Sequence, residues 1–529
     1  PAPRLRRALW WVVAGVLLVA VGVAVAVRVT DEPTAAEATG PRGTTGTASS
    51  PASTPVPRPT STKAPAPVCG SASLRGPARP PAGAVVVETS DDLAALTEAR
   101  PAGTTFWLAP GTHRLRSGQY EQVRPKAGNR YVGAPGAVLD GGTTNRYAFG
   151  GDARDVVIEA LTVQRFGAPG ENNNEGVVNH DGATGWRMTR LTVRQNAGAG
   201  ILLGDGNRVE GSCLTDNGQY GFSAYSPDGV EDVVVRGNEI ARNNTDDWER
   251  RIEGCGCTGG GKFWETVGAL VQANSIHDNL GTGLWADTNN AGFTVTGNHF
   301  ADNAGPAIIY ETSYNAAITR NTFVRNGLRD WRTNPGFPTG AIYVSESGSD
   351  PRVDTAHSQT FEVAENLFVD NWGGVVAWEN ADRFAGSPAN TSTGASTLVN
   401  PRATVARCSD PKTVGSDPYL RDCRWSTQHL RVHDNTFRLS PAALGPDCTA
   451  ANLCGFSALM SNYGTFPDWS PYKGTVVEEW ITTQQDNLWS DNTYTGPWRF
   501  MAREQGNEVS WEEWRAAPYS QDRGSTLSG

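Results

Sequence analysis

The sequence predicts an all-β solenoid carried behind an N-terminal membrane segment and a spacer. Three observations carry that expectation. A short strand-and-turn unit recurs with a basic period near 23 residues. Gly, aromatic and β-branched residues dominate a chain with only 3 Met. One uncharged run near the N-terminus is long enough to cross a bilayer.

Composition removes several classes first. At 529 residues the chain is more than three times a typical domain of ~150, so one ordinary core is excluded. The formal net charge is −10; residues 1–68 carry +4 and the remaining 461 carry −14. An acidic body without a basic face argues against nucleic acid as a partner. Sixty Gly and 17 Trp suit strands, turns and sugar-stacking surfaces rather than a helical bundle.

Arg4, Arg6 and Arg7 precede an apolar run over 8–27, which Arg28 closes. Twenty residues rising about 1.5 Å each just span a ~30 Å hydrocarbon core. The basic flank stays in the cytoplasm, so the body lies outside as a single-pass membrane protein. A cleaved signal peptide is the competing reading, since Ala24-Val25-Ala26 resembles a small-x-small cleavage site, and it would make the protein secreted. From 33 to 68, 30 of 36 residues are Pro, Ser, Thr, Gly or Ala, a composition that cannot offset its own ordering entropy. The expected organisation is therefore 1–28 anchor or signal, 29–68 disordered linker, and 69–529 solenoid with terminal caps.

All eight cysteines follow the spacer, which fits an oxidising compartment. Their spacing matches no zinc site. The simplest pairs are Cys408–Cys423 and Cys448–Cys454, each closing a local loop; Cys69, Cys213, Cys255 and Cys257 are left open.

The repeat reads VVVRGNEIARNN (233–244), ALVQANSIHDN (269–279), FTVTGNHFADN (293–303), AAITRNTFVRN (316–326), FEVAENLFVDN (361–371) and LRVHDNTF (430–437). Asn238, Asn274, Asn298, Asn321, Asn366 and Asn435 are separated by 36, 24, 23, 45 and 69 residues, so insertions lengthen a period near 23. Such Asn positions are expected to form a structural ladder. On these units, and on GTTFWLAPGTHRL (103–115) with YVGAPGAVLDGG (131–142), the chain resembles the right-handed parallel β-helix repeat proteins of the pectate-lyase-like superfamily over roughly 85–500. The 23-residue period over that span implies one β-helix of roughly ten coils. The resemblance leaves function open, because the superfamily includes lyases, hydrolases, epimerases and adhesins.

A second strand follows each unit: EGVVNHD (175–181), AGILLGD (199–205), YGFSAY (220–225), GGKFW (260–264), TGLWAD (282–287), PAIIYE (306–311), GAIYVS (340–345) and GVVAWE (374–379). Alternation points Leu202, Phe222, Leu284, Ile308 and Val376 inward, and the residues two later likewise. The outward column is then His180, Asp205, Tyr225, Lys262, Asp287, Glu311, Ser345 and Glu379, stacked at ~4.8 Å, unless the alignment slips by one. Asp287 and Glu311 are one period apart. Two such carboxyls repel, which raises one pKa, while Lys262 holds Asp287 ionised. That makes Asp287, Glu311 and Lys262 the candidate catalytic residues. Trp264 and Trp285 are expected to offer platforms for a sugar, with His180, Asp205, Tyr225 and Glu379 as further binding residues. The insertion over 247–261 is expected to wall the groove, and Trp480, Trp489, Trp498, Trp511 and Trp514 to cap the helix.

Gly-x-Ser-x-Gly, P-loop and His-Glu-x-x-His motifs are absent from the sequence. The expected partner is a polysaccharide or cell-wall glycan, met by a monomer. The leading expectation is a glycoside hydrolase, since retaining enzymes need carboxyls ~5–5.5 Å apart and adjacent coils supply that. The second is a polysaccharide lyase or epimerase with Lys262 as base; the resemblance adds calcium held by acidic side chains. The third is a non-enzymatic glycan-binding or adhesion protein. The acidic body places the hydrolase ahead of an enzyme for polyuronates.

Overall fold

One coil shows the plan. Leu270–Gln272 joins the first sheet, Ser275–His277 the second and Leu284–Ala286 the third. The following coil repeats it in parallel register, with Leu270 beside Thr294, Ser275 beside His299 and Leu284 beside Ile308. The computed structural model describes residues 57–170, 176–252, 259–354, 356–390 and 402–529. The expected anchor at 8–27 and both Cys255 and Cys257 lie outside the described residues. No helix among the described residues is long and apolar enough to cross a membrane.

The first sheet has 15 strands, thirteen of them on one continuous path from Val85–Val87 to Leu488–Ser490. The second has 13 and runs from Gly111–Arg114 to Thr526–Ser528. The third has ten and begins only at Ile201–Leu203. The helix thus has about three more coils than the repeat spacing suggested, because the early coils lack the Asn signature that marks the later ones.

Asparagine fixes two of the corners. Asn238, Asn274, Asn298, Asn321, Asn366 and Asn435 form a buried ladder, each side-chain amide donating to the next Oδ1 at 2.9–3.1 Å. A second ladder over Asn217, Asn243, Asn279, Asn303, Asn326 and Asn371 marks the exit from the second sheet. The residue before a ladder Asn takes the left-handed region, as Ala273 (φ 55°) and Arg320 (φ 57°) do. That conformation costs about 1–2 kcal/mol for a side-chain-bearing residue, and the four hydrogen bonds at each Asn offset it. Inside, Phe300, Phe323, Phe368, Phe437 and Tyr494 stack in one column with centroids 4.4–5.1 Å apart.

The expected disulfides Cys408–Cys423 and Cys448–Cys454 are present, and Cys69 pairs with Cys213. The spacer ends earlier than composition indicated. Residues 57–68 lie along the second sheet: Arg58 donates to the Asp434 carbonyl, and His299 Nε2 sits 3.2 Å from the Thr62 carbonyl. The Val68 and Cys69 amides donate to Glu239 Oε2 at 2.7 and 2.8 Å. At the other end Trp489 and Trp514 are fully buried under the helix Trp511–Arg515 and close the core; Trp480 instead packs in a side cluster around Tyr472.

Candidate active site

The third sheet carries the site. Phe222, Gly261, Leu284, Ile308 and Ile342 are partners in one inward column, and Ala224, Phe263, Ala286, Tyr310 and Val344 in the next. The outward position that follows holds Tyr225, Trp264, Asp287, Glu311, Ser345 and Trp378, with Glu311 beside Ser345 and Ser345 beside Trp378. Asp287 and Glu311 are therefore neighbours on adjacent strands, ~4.8 Å apart along the helix axis.

The column differs from the sequence expectation at four places. Lys262 pairs with Trp285, one outward position earlier than Asp287, yet its Nζ reaches Asp287 Oδ2 at 2.7 Å. Glu379 does not face out: its side chain is fully buried, ion-paired with buried Arg424, and accepts from the Thr427 amide at 3.0 Å and Gln485 Nε2 at 2.7 Å. Trp378 takes its place, so Val376 also points outward. Asp205 falls one residue past the column, exposed, with Oδ1 accepting from the Glu231 amide at 2.9 Å; Leu202, beside Ser223, points outward. Ser345 is in register but buried.

Two expected binding groups are otherwise engaged. Lys262 Nζ lies over the rings of Trp285 and Trp264, 4.5 and 5.5 Å from their centroids, so these rings cradle the ammonium before any sugar. His180 stacks on Tyr147 at 3.4 Å, in the coil before Ile201 and so four strands from Asp287. Tyr225 is exposed and tilts against Trp264 at 5.8 Å. The walling insertion contributes the short helix Trp248–Arg251, and 253–258 lie outside the described residues.

A residue absent from the sequence reading completes the cluster. Arg383, from the turn after the strand Val375–Glu379, pairs with Glu311 and lies 3.4 Å from Glu346 Oε2. Glu311 therefore does not stand against Asp287 without a cation. Burial works to raise the Asp287 carboxyl, but the Lys262 ammonium, helped by Arg383 and by the Thr288 hydroxyl at 3.1 Å, holds it below the usual range. Burial pushes the Glu346 carboxyl up, and the charge of Glu311 adds to that, against Arg383 and a hydrogen bond from Ser345. Burial would discharge Arg383, but Glu311 and Glu346 hold it charged. Three carboxyls thus face two cations, and Glu346, the fully buried one, lies behind Glu311.

Calcium does not fit this donor set. Asp287 and Glu311 already hold ammonium and guanidinium partners, and Glu379 is sealed against Arg424. Among the described residues no group of three or more His, Cys, Asp or Glu is placed to hold a metal ion. As counter-ion of Asp287, Lys262 is also poorly set to act as a base.

Beyond Glu311 the same outer face opens into a cavity of about 980 Å³ between the loops at 330–340 and 462–466. Tyr343 and Trp378 form its floor, and Phe337 meets both at 5.9 and 5.5 Å.

Fold and site define the class: a right-handed parallel β-helix protein with a charged cluster on one exposed sheet. The family described as "Right handed beta helix region" matches residues 176–357. Among solved structures the chain is similar to the catalytic unit of the GH87 α-1,3-glucanase of Streptomyces thermodiastaticus strain HF3-3, at 13% identity, 85% of this chain, 70% of that chain and TM-score 0.45. It is also similar to the mannuronan C-5 epimerase AlgE6 A-module of Azotobacter vinelandii, at 13% identity, 55% of this chain, 89% of that chain and TM-score 0.38. No curated protein matches the sequence.

Proposed function

We propose that the chain is an exported carbohydrate-active enzyme that hydrolyses glycosidic bonds of a polysaccharide. The observation that supports this reading is the pairing of two groove-facing carboxyls, Asp287 and Glu311, on adjacent strands, one of them held ionised by Lys262. In this reading Asp287 opposes the positive charge that develops on the sugar, as nucleophile or electrostatic stabiliser. Glu311 is assigned as the acid for the leaving oxygen; being paired with Arg383 at rest, it must first take up a proton from solvent or from Glu346 behind it. Glu346, whose carboxyl burial pushes up against the pull of Arg383, shares that guanidinium with Glu311. Export rests on the apolar run at 8–27 and on the disulfides.

The test is digestion of a panel of soluble polysaccharides by the full chain, read by new reducing ends and by absorbance of unsaturated sugars. Reducing ends without unsaturation support the hydrolase. Unsaturated products favour a lyase, and binding without products favours a glycan-binding protein.

A further inference from the structure

The cavity beside the cluster has its own chemistry. Its floor and walls are aromatic: Tyr343, Trp378 and Phe337 below, and Tyr463 and Phe466 above, the last two 42% and 46% exposed. Exposed aromatic rings facing a cavity are costly in water unless an amphipathic ligand covers them. Sugar rings present such faces, with hydroxyls at their edges for the surrounding amides and carboxylates. The volume, at the upper end of the ~300–1,000 Å³ of small-molecule sites, is far larger than one ring needs.

Charge narrows the class. Among the described residues lining the cavity, Asp330 and Asp382 are the charged groups, and neither Lys, Arg nor His is present. Asp382 is fully engaged: Oδ1 accepts from the Thr465 and Phe466 amides at 2.7 and 3.0 Å, and Oδ2 from the Thr465 hydroxyl at 2.7 Å. A uronate, sulfate or phosphate entering here would meet like charge and no counter-ion.

Geometry ties the cavity to the cluster. Asn462 Nδ2 donates to Asn380 Oδ1 at 2.8 Å, the Ala381 amide donates to Asn462 Oδ1 at 2.6 Å, and Asp382 holds the loop at 465–466. The next residue is Arg383, which grips Glu311 and Glu346. One turn, 380–383, therefore sets both the cavity wall and the cation of the cluster.

We propose that this cavity binds an uncharged polysaccharide, seating its sugar rings on Tyr343, Trp378 and Tyr463 while the chain continues across Asp287 and Glu311. The inference rests on the glycan reading above and adds the substrate class. It leaves no place for the carboxylate that an elimination or epimerisation of uronates requires.

The experiment is native affinity electrophoresis of the full chain in gels containing dextran, xyloglucan or yeast mannan, and in gels containing alginate or polygalacturonate. Wild type is expected to be retarded by at least one neutral polymer and by neither acidic one. Trp378→Ala and Tyr463→Ala should each weaken that retardation about tenfold. Tyr463 is 42% exposed and belongs to none of the core clusters, so its truncation leaves the core intact even if Trp378→Ala unfolds. Retardation of both variants equal to wild type would remove the cavity while leaving the glycan reading in place. Preferential retardation by alginate or polygalacturonate would overturn the uncharged class. Failure of every polymer to retard wild type would instead strike the glycan reading itself.

Discussion

Replacing Lys262 by Met keeps the stem against Trp285 and removes only the charge. At 2.7 Å and an effective dielectric of about 20, the lost attraction to Asp287 is about 6 kcal/mol. Side-chain exposures of 11% and 14% let water recover part of this, and Arg383 remains nearby, so about 3 kcal/mol is the expected net cost. The same loss raises the Asp287 pKa. In wild type the carboxyl is depressed, so it contributes stability above its unfolded value near 3.8, lost as pH falls through the folded pKa. In the variant burial raises the carboxyl without the ammonium to oppose it, so the cost of the substitution is greatest at neutral pH and shrinks in acid. Urea unfolding of both proteins at about pH 7.5, 5.5 and 4 should give a stability gap of about 3 kcal/mol that closes toward the lowest pH. A gap that is absent, or equal at all three, would refute the electrostatic account of this pair.

Other consequences follow from the same geometry. Asn298→Ala removes the acceptor of the Asn274 backbone and side-chain amides, so it should cost about 3–5 kcal/mol by urea unfolding. Glu379→Ala leaves Arg424 buried without its counter-ion and should destabilise by about 3–5 kcal/mol, while glycan affinity of the folded fraction in native gels stays unchanged. Burial pushes the Asp330 carboxyl up to about 6, with Arg329 opposing and Asp247 adding. A raised carboxyl contributes its stability at low pH and loses it as pH passes about 6, so Asp330→Asn should raise the melting temperature at pH 8 and leave it unchanged near pH 4.

The helical winding was legible because one residue type repeats for a physical reason. Each ladder Asn satisfies a corner that no apolar residue can, so the ladder survives insertions that stretch the spacing to 69 residues between Asn366 and Asn435. The outward column was legible only where alternation is clean. In TGLWAD (282–287) small and apolar residues alternate with outward ones, and Asp287 fell correctly. In Val375–Glu379 two valines adjoin, and the outward Val376 is itself buried, in a cluster with Phe456, Ala458 and Met460. Pattern alone then chose the wrong face for Glu379. Ile201–Leu203 misled in the same way, and Gly259–Phe263 offers three glycines and one inward anchor, so Lys262 slipped by two. Arg383 was invisible because it meets Glu311 across 72 residues, through a turn whose fold no local pattern reports.

The central claim is that Asp287 and Glu311 together cleave a glycosidic bond. It is tested most directly by the initial rate of reducing-end release from the polysaccharide that wild type degrades, measured for Asp287→Asn and Glu311→Gln. Each variant should remain folded, bind the polymer in native gels, and lose activity by about 10²–10⁴-fold or more. Activity within a few-fold of wild type in either variant, with binding intact, would contradict the account and move the chemistry to other residues.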